Sequence, residues 1–263
     1  MSERVSFMNW TEKYNKAVTF SYDDGVLQDI RLVELLNQYH LKCTFNINSG
    51  LGPQNGSFDI DDLKISRLSL YELKEVYKGH EVALHSLTHP FLTRLPLAEA
   101  EYELHQDKLN IEKTFEEKVL GMAYPYGVYN QEIVEMLKKE KLHYGRTVED
   151  NHSFALQENL LKFRPTSHHN DPLLWDLVNE FLESKNKDPQ ILYIWGHSYE
   201  FDIDDNWDRM EHLCKIVSGR PDIYYGTNAQ VLLNDTECPY PLDRTVGYYE
   251  SHHLQLSFTM KYV

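Results

Sequence analysis

A chain of 263 residues with a hydrophobic fraction of 41% is long enough to bury a large core, as one α/β barrel or as two small domains. Lys+Arg 26 against Asp+Glu 41 leaves a formal charge of −15, which repels phosphate backbones and anionic bilayers and excludes nucleic acid and membrane surfaces as expected partners. The three cysteines, Cys43, Cys214 and Cys238, form no CxxC pair and imply reduced thiols. No apolar leader follows Met1 and no run approaches the ~20 apolar residues of a membrane span, so a cytoplasmic protein is expected unless a signal peptide was trimmed. An aromatic fraction of 13%, with 18 Tyr, suits a pocket that stacks on rings.

The first strand is the apolar run that opens TFSYDDG (19–25) and delivers Asp23 and Asp24 to a glycine turn. Apolar positions at Val26, Ile30, Val33 and Leu36 predict a helix over 26–40, followed by a strand at 42–48 and a polar loop at 53–62. Ser69 with Glu72 three residues on reads as a capping box for a helix ending near Gly79, and the strand 81–84 runs into His85. A helix over 96–117, a strand at 119–124 ending in YPYG, a helix over 130–141 and a strand at 144–148 follow. Beyond a loop at 149–159 come a strand at 160–164, a helix over 172–183 and an apolar strand at 191–195 that ends in Gly196 and His197. An acidic loop at 200–205, a helix over 207–217 and a last strand and helix from Ile223 complete the pattern.

Strands and helices alternating seven or eight times predict a parallel sheet with helices outside, closed into a (β/α)7-8 barrel, whose ligands bind at the carboxyl ends of the strands. Asp23, Asp24, His85, Tyr124, Arg164 and His197 all fall at such ends. The tail breaks the pattern: Leu254, Leu256, Phe258, Met260 and Tyr262 alternate with polar residues, the period of an edge strand. A barrel domain over 1–238 with a β extension over 239–263 is therefore expected; the extra strand would join the rim, form a hairpin or pair with a second copy in a homo-oligomer.

HSLTH (85–89) spaces two imidazoles four apart. Together with a nearby carboxylate they form a three-ligand set that leaves open positions on a divalent metal, as catalysis by metal-bound water requires. An isolated pair of this kind can equally satisfy polar contacts at a strand end.

TFSYDDG and HSLTH together resemble the first two motifs of the polysaccharide deacetylases, the NodB-homology or carbohydrate esterase family 4 enzymes, over roughly residues 17–235. The resemblance implies a distorted (β/α) barrel that removes acetyl groups from acetylated saccharides. Asp24, His85 and His89 would bind one divalent metal, Zn2+ first and Co2+, Ni2+ or Mn2+ otherwise, and Asp23 would be the general base. AYPYG (123–127) resembles the third motif, with Pro125 and Tyr126 at the oxyanion site; many relatives carry an arginine where this chain has Ala123, and Arg164 is the expected replacement, a capping arginine being the alternative. WGHSYE (195–200) resembles the fifth motif, with His197 as general acid and Trp195 and Tyr199 beside the acetyl or sugar. The fourth motif, the acid that steers His197, has Asp171 and Asp176 as candidates. Tyr129 and Trp207 are further candidates for sugar stacking or rim packing. His168 and His169 are not expected as ligands, because adjacent residues on an extended chain point to opposite sides. Two other readings are a metal-dependent amidase acting on a small cyclic amide or ureide and a carbohydrate-binding protein without turnover.

Overall fold

The structure is a computed structural model that describes residues 9–242. The alternating tail at 254–262 lies outside the described residues, and with it the expected edge strand. At the proposed boundary the chain does not part from the barrel: Tyr240 accepts the Lys118 N–H at 2.8 Å, and Leu242 donates to Glu116 at 3.0 Å.

Eight strands make one sheet in which every pair is parallel. Its path runs β7 (Tyr144–Arg146), β6 (Gly121–Ala123), β5 (Glu81–Leu84), β2 (Cys43–Ile47), β1 (Lys16–Asp23), β9 (Gln190–Gly196) and β8 (Ser167–His168). Strand β10 (Ile223–Tyr225) pairs with the first half of β1, on the edge whose second half takes β2. The sheet curls until its two edges are joined by the segment after Phe163. Phe163 donates to Gly145 in β7 at 2.9 Å, and Thr166 donates to Tyr193 in β9 at 3.0 Å. On the β7 side an isolated bridge between Arg146 and Phe163 stands in place of a ladder, which makes the barrel a distorted one, as expected.

Period-two alternation decides which side chains face inside. In β1, Val18, Phe20 and Tyr22 join the main apolar cluster with Leu32 and Leu36 of α1 (Asp29–Gln38), whereas Thr19, Ser21 and Asp23 form the alternate, equally buried set. Strand β2 repeats this with Cys43, Phe45 and Ile47 against Thr44 and Asn46. Members of the buried polar set hydrogen-bond to one another and to their neighbours: Asn46 Nδ2 to Ser21 Oγ at 2.9 Å, Thr44 Oγ1 to Glu81 at 2.7 Å, and Thr19 Oγ1 to Asn228 of α8 (Asn228–Leu232) at 2.9 Å. Asp23 is the last of this set, so register alone carries it to the open end.

The capping box at Ser69 and Glu72 forms and starts α2 (Leu70–Val76). Several expectations change: the acidic loop at 200–205 begins as a short helix, and the strand expected over 144–148 ends at Arg146. The loop after Pro53 contains a hairpin, β3 (Phe58–Ile60) with β4 (Leu63–Ile65), and residues 160–164 are a 3-10 turn at Leu160–Lys162 instead of a strand. The strand there is β8, four residues later, because Pro165 separates the turn from the edge that pairs with β9. The remaining helices are α3 (Leu97–Phe115), α4 (Gln131–Lys139), α5 (Leu174–Glu183), α6 (Glu200–Ile203) and α7 (Trp207–Val217). No helix among the described residues is long and apolar enough to cross a membrane.

Candidate active site

The carboxyl ends of the strands bring Asp23, Asp24, His85, His89 and His197 together. The backbone there is bent: Asp24 (φ 87), Ser86 (φ 63), His89 (φ 59) and Tyr126 (φ 58) all occupy the left-handed region that disfavours side chains. Each such residue costs on the order of 1–3 kcal/mol, held here by surrounding bonds. The Asp24 N–H donates to Asn46 at 2.9 Å, and the His89 N–H to Ser86 Oγ at 3.1 Å.

Ligand atoms of Asp24, His85 and His89 all lie within 4.8 Å of one another. The His85 Nδ1 is 2.8 Å from the Ala123 carbonyl, which only accepts, so the ring proton sits on Nδ1 and Nε2 offers its lone pair to the cluster. The His89 Nε2 is 3.1 Å from the His85 Nε2. Arg67, between β4 and α2, holds one oxygen of Asp24 at 2.8 Å and also donates to the Asp24 carbonyl. Its guanidinium is fixed by Asn48 Oδ1 and the Gly56 carbonyl, both at 2.9 Å, and Asn48 in turn donates to the carbonyls of His85 and Ser86. Burial pushes the Asp24 carboxyl up, and the Arg67 charge together with His197, His85 and His89 more than offsets it, holding the group below the usual carboxylate range. Burial lowers His85 to about 4 and lowers His89, so both are neutral donors at neutral pH. Two neutral imidazoles and an ionised carboxylate fit a divalent cation.

Asp23 is 3% exposed. Arg146, the last residue of β7, donates to both of its oxygens, and Asn46 Nδ2 donates at 2.8 Å. Burial raises its pKa, but Arg146, then His85 and His197, bring it below the ordinary value. The arginine that sequence reasoning assigned to Asp23 is thus misplaced. Arg164 is half-exposed and pairs with Glu149 at 3.4 Å on the outside, because residues 160–164 turn away before β8 begins. The signal for Arg146 was present in the sequence, a lone arginine between Tyr144 and Val148 in a predicted strand, but the strand's end was set two residues too late.

The His197 Nε2 lies 3.9 Å from Asp23, as does the His85 Nε2. The other ring nitrogen of His197 is 3.2 Å from Glu200, which also accepts the His197 N–H at 3.2 Å. Burial lowers the His197 pKa, but the Glu200 hydrogen bond, Asp23 and Asp24 outweigh it and push it up to about 9. The acid that steers His197 is therefore Glu200. Of the earlier candidates, Asp171 binds His152 at 2.7 Å, and Asp176 is in the first turn of α5. His168 and His169 both reach Glu200, each with Nε2 at 3.1 Å from one oxygen. They do not point apart, since β8 ends at His168 and the alternation ends with it.

Around these groups, Trp195 is buried, donates to Asp150 at 2.7 Å and lies under the Arg146 guanidinium at 4.6 Å. Tyr199 stacks on His197 at 5.1 Å and meets Phe58 of the hairpin edge-on at 5.6 Å. Tyr126, 49% exposed, stacks on Phe91 at 3.8 Å with its ring 4.6 Å from His89, and Pro125 beside it is buried. Tyr129 packs on Tyr124 at 5.2 Å, and Trp207 packs on Phe201 at 4.9 Å.

The family model for polysaccharide deacetylase matches residues 11–145. Among solved structures, the chain is similar to the chitin deacetylase from the fungal pathogen Colletotrichum lindemuthianum, at 16% identity and a TM-score of 0.56 over 92% of this chain and 95% of that one. It is also similar to peptidoglycan deacetylase PdaC from Bacillus subtilis, at 18% identity and a TM-score of 0.51 over 85% and 92%. Of the Streptococcus pyogenes deacetylase PplD in complex with acetate, it covers 55%, matching 49% of this chain at 23% identity and a TM-score of 0.44. No curated protein sequence matches. The structural likenesses speak for the fold.

Proposed function

The chain belongs to the polysaccharide deacetylase family, and from that membership we propose that it is a hydrolase removing acetyl groups from N-acetylated or O-acetylated carbohydrate. The observation that carries this reading is the pairing at one strand end. Asp23, kept anionic by Arg146, stands beside the Asp24, His85 and His89 cluster, with His197 3.9 Å away on the other side.

Asp24, His85 and His89 would hold a divalent cation, with zinc the first choice for this donor set, which would supply a Lewis acid for the acetyl carbonyl and for water. The protein's own groups do the rest. Asp23 accepts a proton from water as the water oxygen bonds to the carbonyl carbon, and the backbone N–H of Tyr126 donates to the oxygen that becomes negative. His197 then gives its Nε2 proton to the leaving nitrogen or oxygen as the bond to the acetyl carbon breaks. Acetate and a free amine or hydroxyl result. A His197 pKa of about 9 keeps the proton available at neutral pH. Trp195 would border the acetyl methyl group, and Tyr126 and Tyr199 would flank the sugar. Cys43, Cys214 and Cys238 are free and buried, which suits a reducing compartment and supports the cytoplasm as the location.

The test is acetate release from N-acetylglucosamine oligomers and from acetylated xylan by protein reconstituted with Zn2+, Co2+, Ni2+ or Mn2+. Release by the native protein and a loss of roughly 10²–10⁴ in kcat for Asp23→Asn and His197→Ala are expected. Unchanged release in either variant would remove its residue from the mechanism. Ring opening of a small cyclic amide without acetate release would replace this reading with the amidase one, and saccharide binding without turnover with the binding-protein one.

A further inference from the structure

Behind His197, one carboxylate meets three imidazoles, a set of side chains that also has the composition of a metal site: His168, His169 and Glu200 hold their ligand atoms within 4.8 Å. The proton positions argue against a metal. The Asn170 backbone N–H donates to His168 Nδ1 at 3.1 Å, and an amide cannot reverse that role. The Nδ1 lone pair is therefore in use, the single proton of the neutral ring is on Nε2, and Nε2 has no lone pair for a cation. His85 shows the opposite tautomer, with Nδ1–H on the Ala123 carbonyl. The two clusters share residue types and differ in which nitrogen faces the centre.

We infer that His168 and His169 are positioning residues that clamp Glu200, so that Glu200 in turn holds His197 with Nε2 toward Asp23. The Nε2 atoms of His168 and His169 each lie 3.1 Å from Glu200 Oε2. His169 is 1% exposed and packs against the rings of Tyr22 (5.6 Å, 13°) and Phe201 (4.3 Å, 27°), which restricts its movement. Gly196 makes room for it: a Cβ there would stand 2.1 Å from His169 Nδ1. With Oε2 held, Oε1 is left for His197 Nδ1 at 3.2 Å. A freely rotating glutamate at the start of a four-residue helix would not hold this geometry.

The charged groups facing His197 are Asp23 and Asp24 at the end of β1 and Glu200 in α6, with Tyr199 stacked on the ring. Those facing Glu200 are His168, His169 and His197, and together they outweigh its burial and keep it ionised. The clamp rests on the reading of His197 as proton donor, and its test therefore has a readout that needs no turnover. Histidine ¹⁵N NMR of zinc-loaded protein reports tautomer and titration ring by ring, with each signal assigned from its His→Gln variant. Wild type is expected to show His168 with its proton on Nε2, His85 with its proton on Nδ1, and His197 doubly protonated on the alkaline side of the ordinary histidine value. In His168→Gln and His169→Gln the His197 midpoint should fall by about one pH unit, a tenfold change in its protonation constant, and in Glu200→Gln by more. The alkaline limb of kcat/KM should move down by the same amount. A His197 midpoint unmoved in His168→Gln and Glu200→Gln overturns the clamp, as does loss of a second bound metal equivalent in His168→Gln. Absent acetate release with shifted midpoints would sink the deacetylase reading and leave the clamp standing.

Discussion

Asp23 keeps its charge in a nearly closed setting because Arg146 reaches it from the next strand end but three, a neighbour across the barrel mouth. Remove that guanidinium and burial, which raises a carboxyl pKa, meets only the weaker opposition of His85 and His197. The folded pKa of Asp23 lies below its unfolded value, so the pair stabilises the fold above the unfolded pKa and loses that contribution as pH falls through the folded one. In Arg146→Leu the sign reverses, and the acid limb of kcat/KM should move to higher pH, with activity at pH 7 down about a hundredfold or more. Arg164→Ala, which loses only an exposed pair with Glu149, should change activity less than about twofold and stability by less than about 0.5 kcal/mol. Steady-state profiles of the two variants separate the arginines, and equal effects would contradict this assignment. The need for an arginine followed from the family resemblance, since Ala123 stands where many relatives carry one. Its location did not, because periodicity alone cannot say whether β7 ends at Arg146 or Val148, and in a parallel barrel only the terminal residues face the mouth.

Elements explain which parts of the site sequence reasoning reached. The strand ends at Asp23, His85 and His197 stood out because apolar runs stop there abruptly. The hairpin of β3 and β4 did not, since its three-residue strands are half-exposed and carry polar residues. Yet that hairpin delivers Arg67 to Asp24 and Phe58 to Tyr199. Glu200 was hidden differently: it read as part of an acidic loop, whereas α6 begins at Glu200 and folds it back onto His197. Because Arg67 fixes one oxygen of Asp24 and leaves the other to the cluster, Arg67→Met should weaken zinc binding by about 10–100-fold, read by competition with a chromophoric chelator. Tighter or unchanged binding would mean that Arg67 opposes the cation or is indifferent to it.

At the scale of the molecule, an apolar shell between sheet and helices encloses a polar interior, and the site is the upper end of that interior. Thr19, Ser21, Thr44, Asn46 and Glu81 are buried side chains that an alternating pattern hides, because it makes them look solvent-facing. The parallel sheet with outer helices was legible from helix and strand alternation; the divided edge of β1 and the closure through Phe163 were not, since each depends on a few long-range pairings. The central claim is that one cation belongs at the mouth of this barrel, beside Asp23, and none behind His197. Anomalous diffraction from zinc-loaded crystals tests it directly. One peak about 2.0–2.2 Å from Asp24, His85 Nε2 and His89 Nε2 is the predicted result. A peak among His168, His169 and Glu200, or none at Asp24, would contradict it.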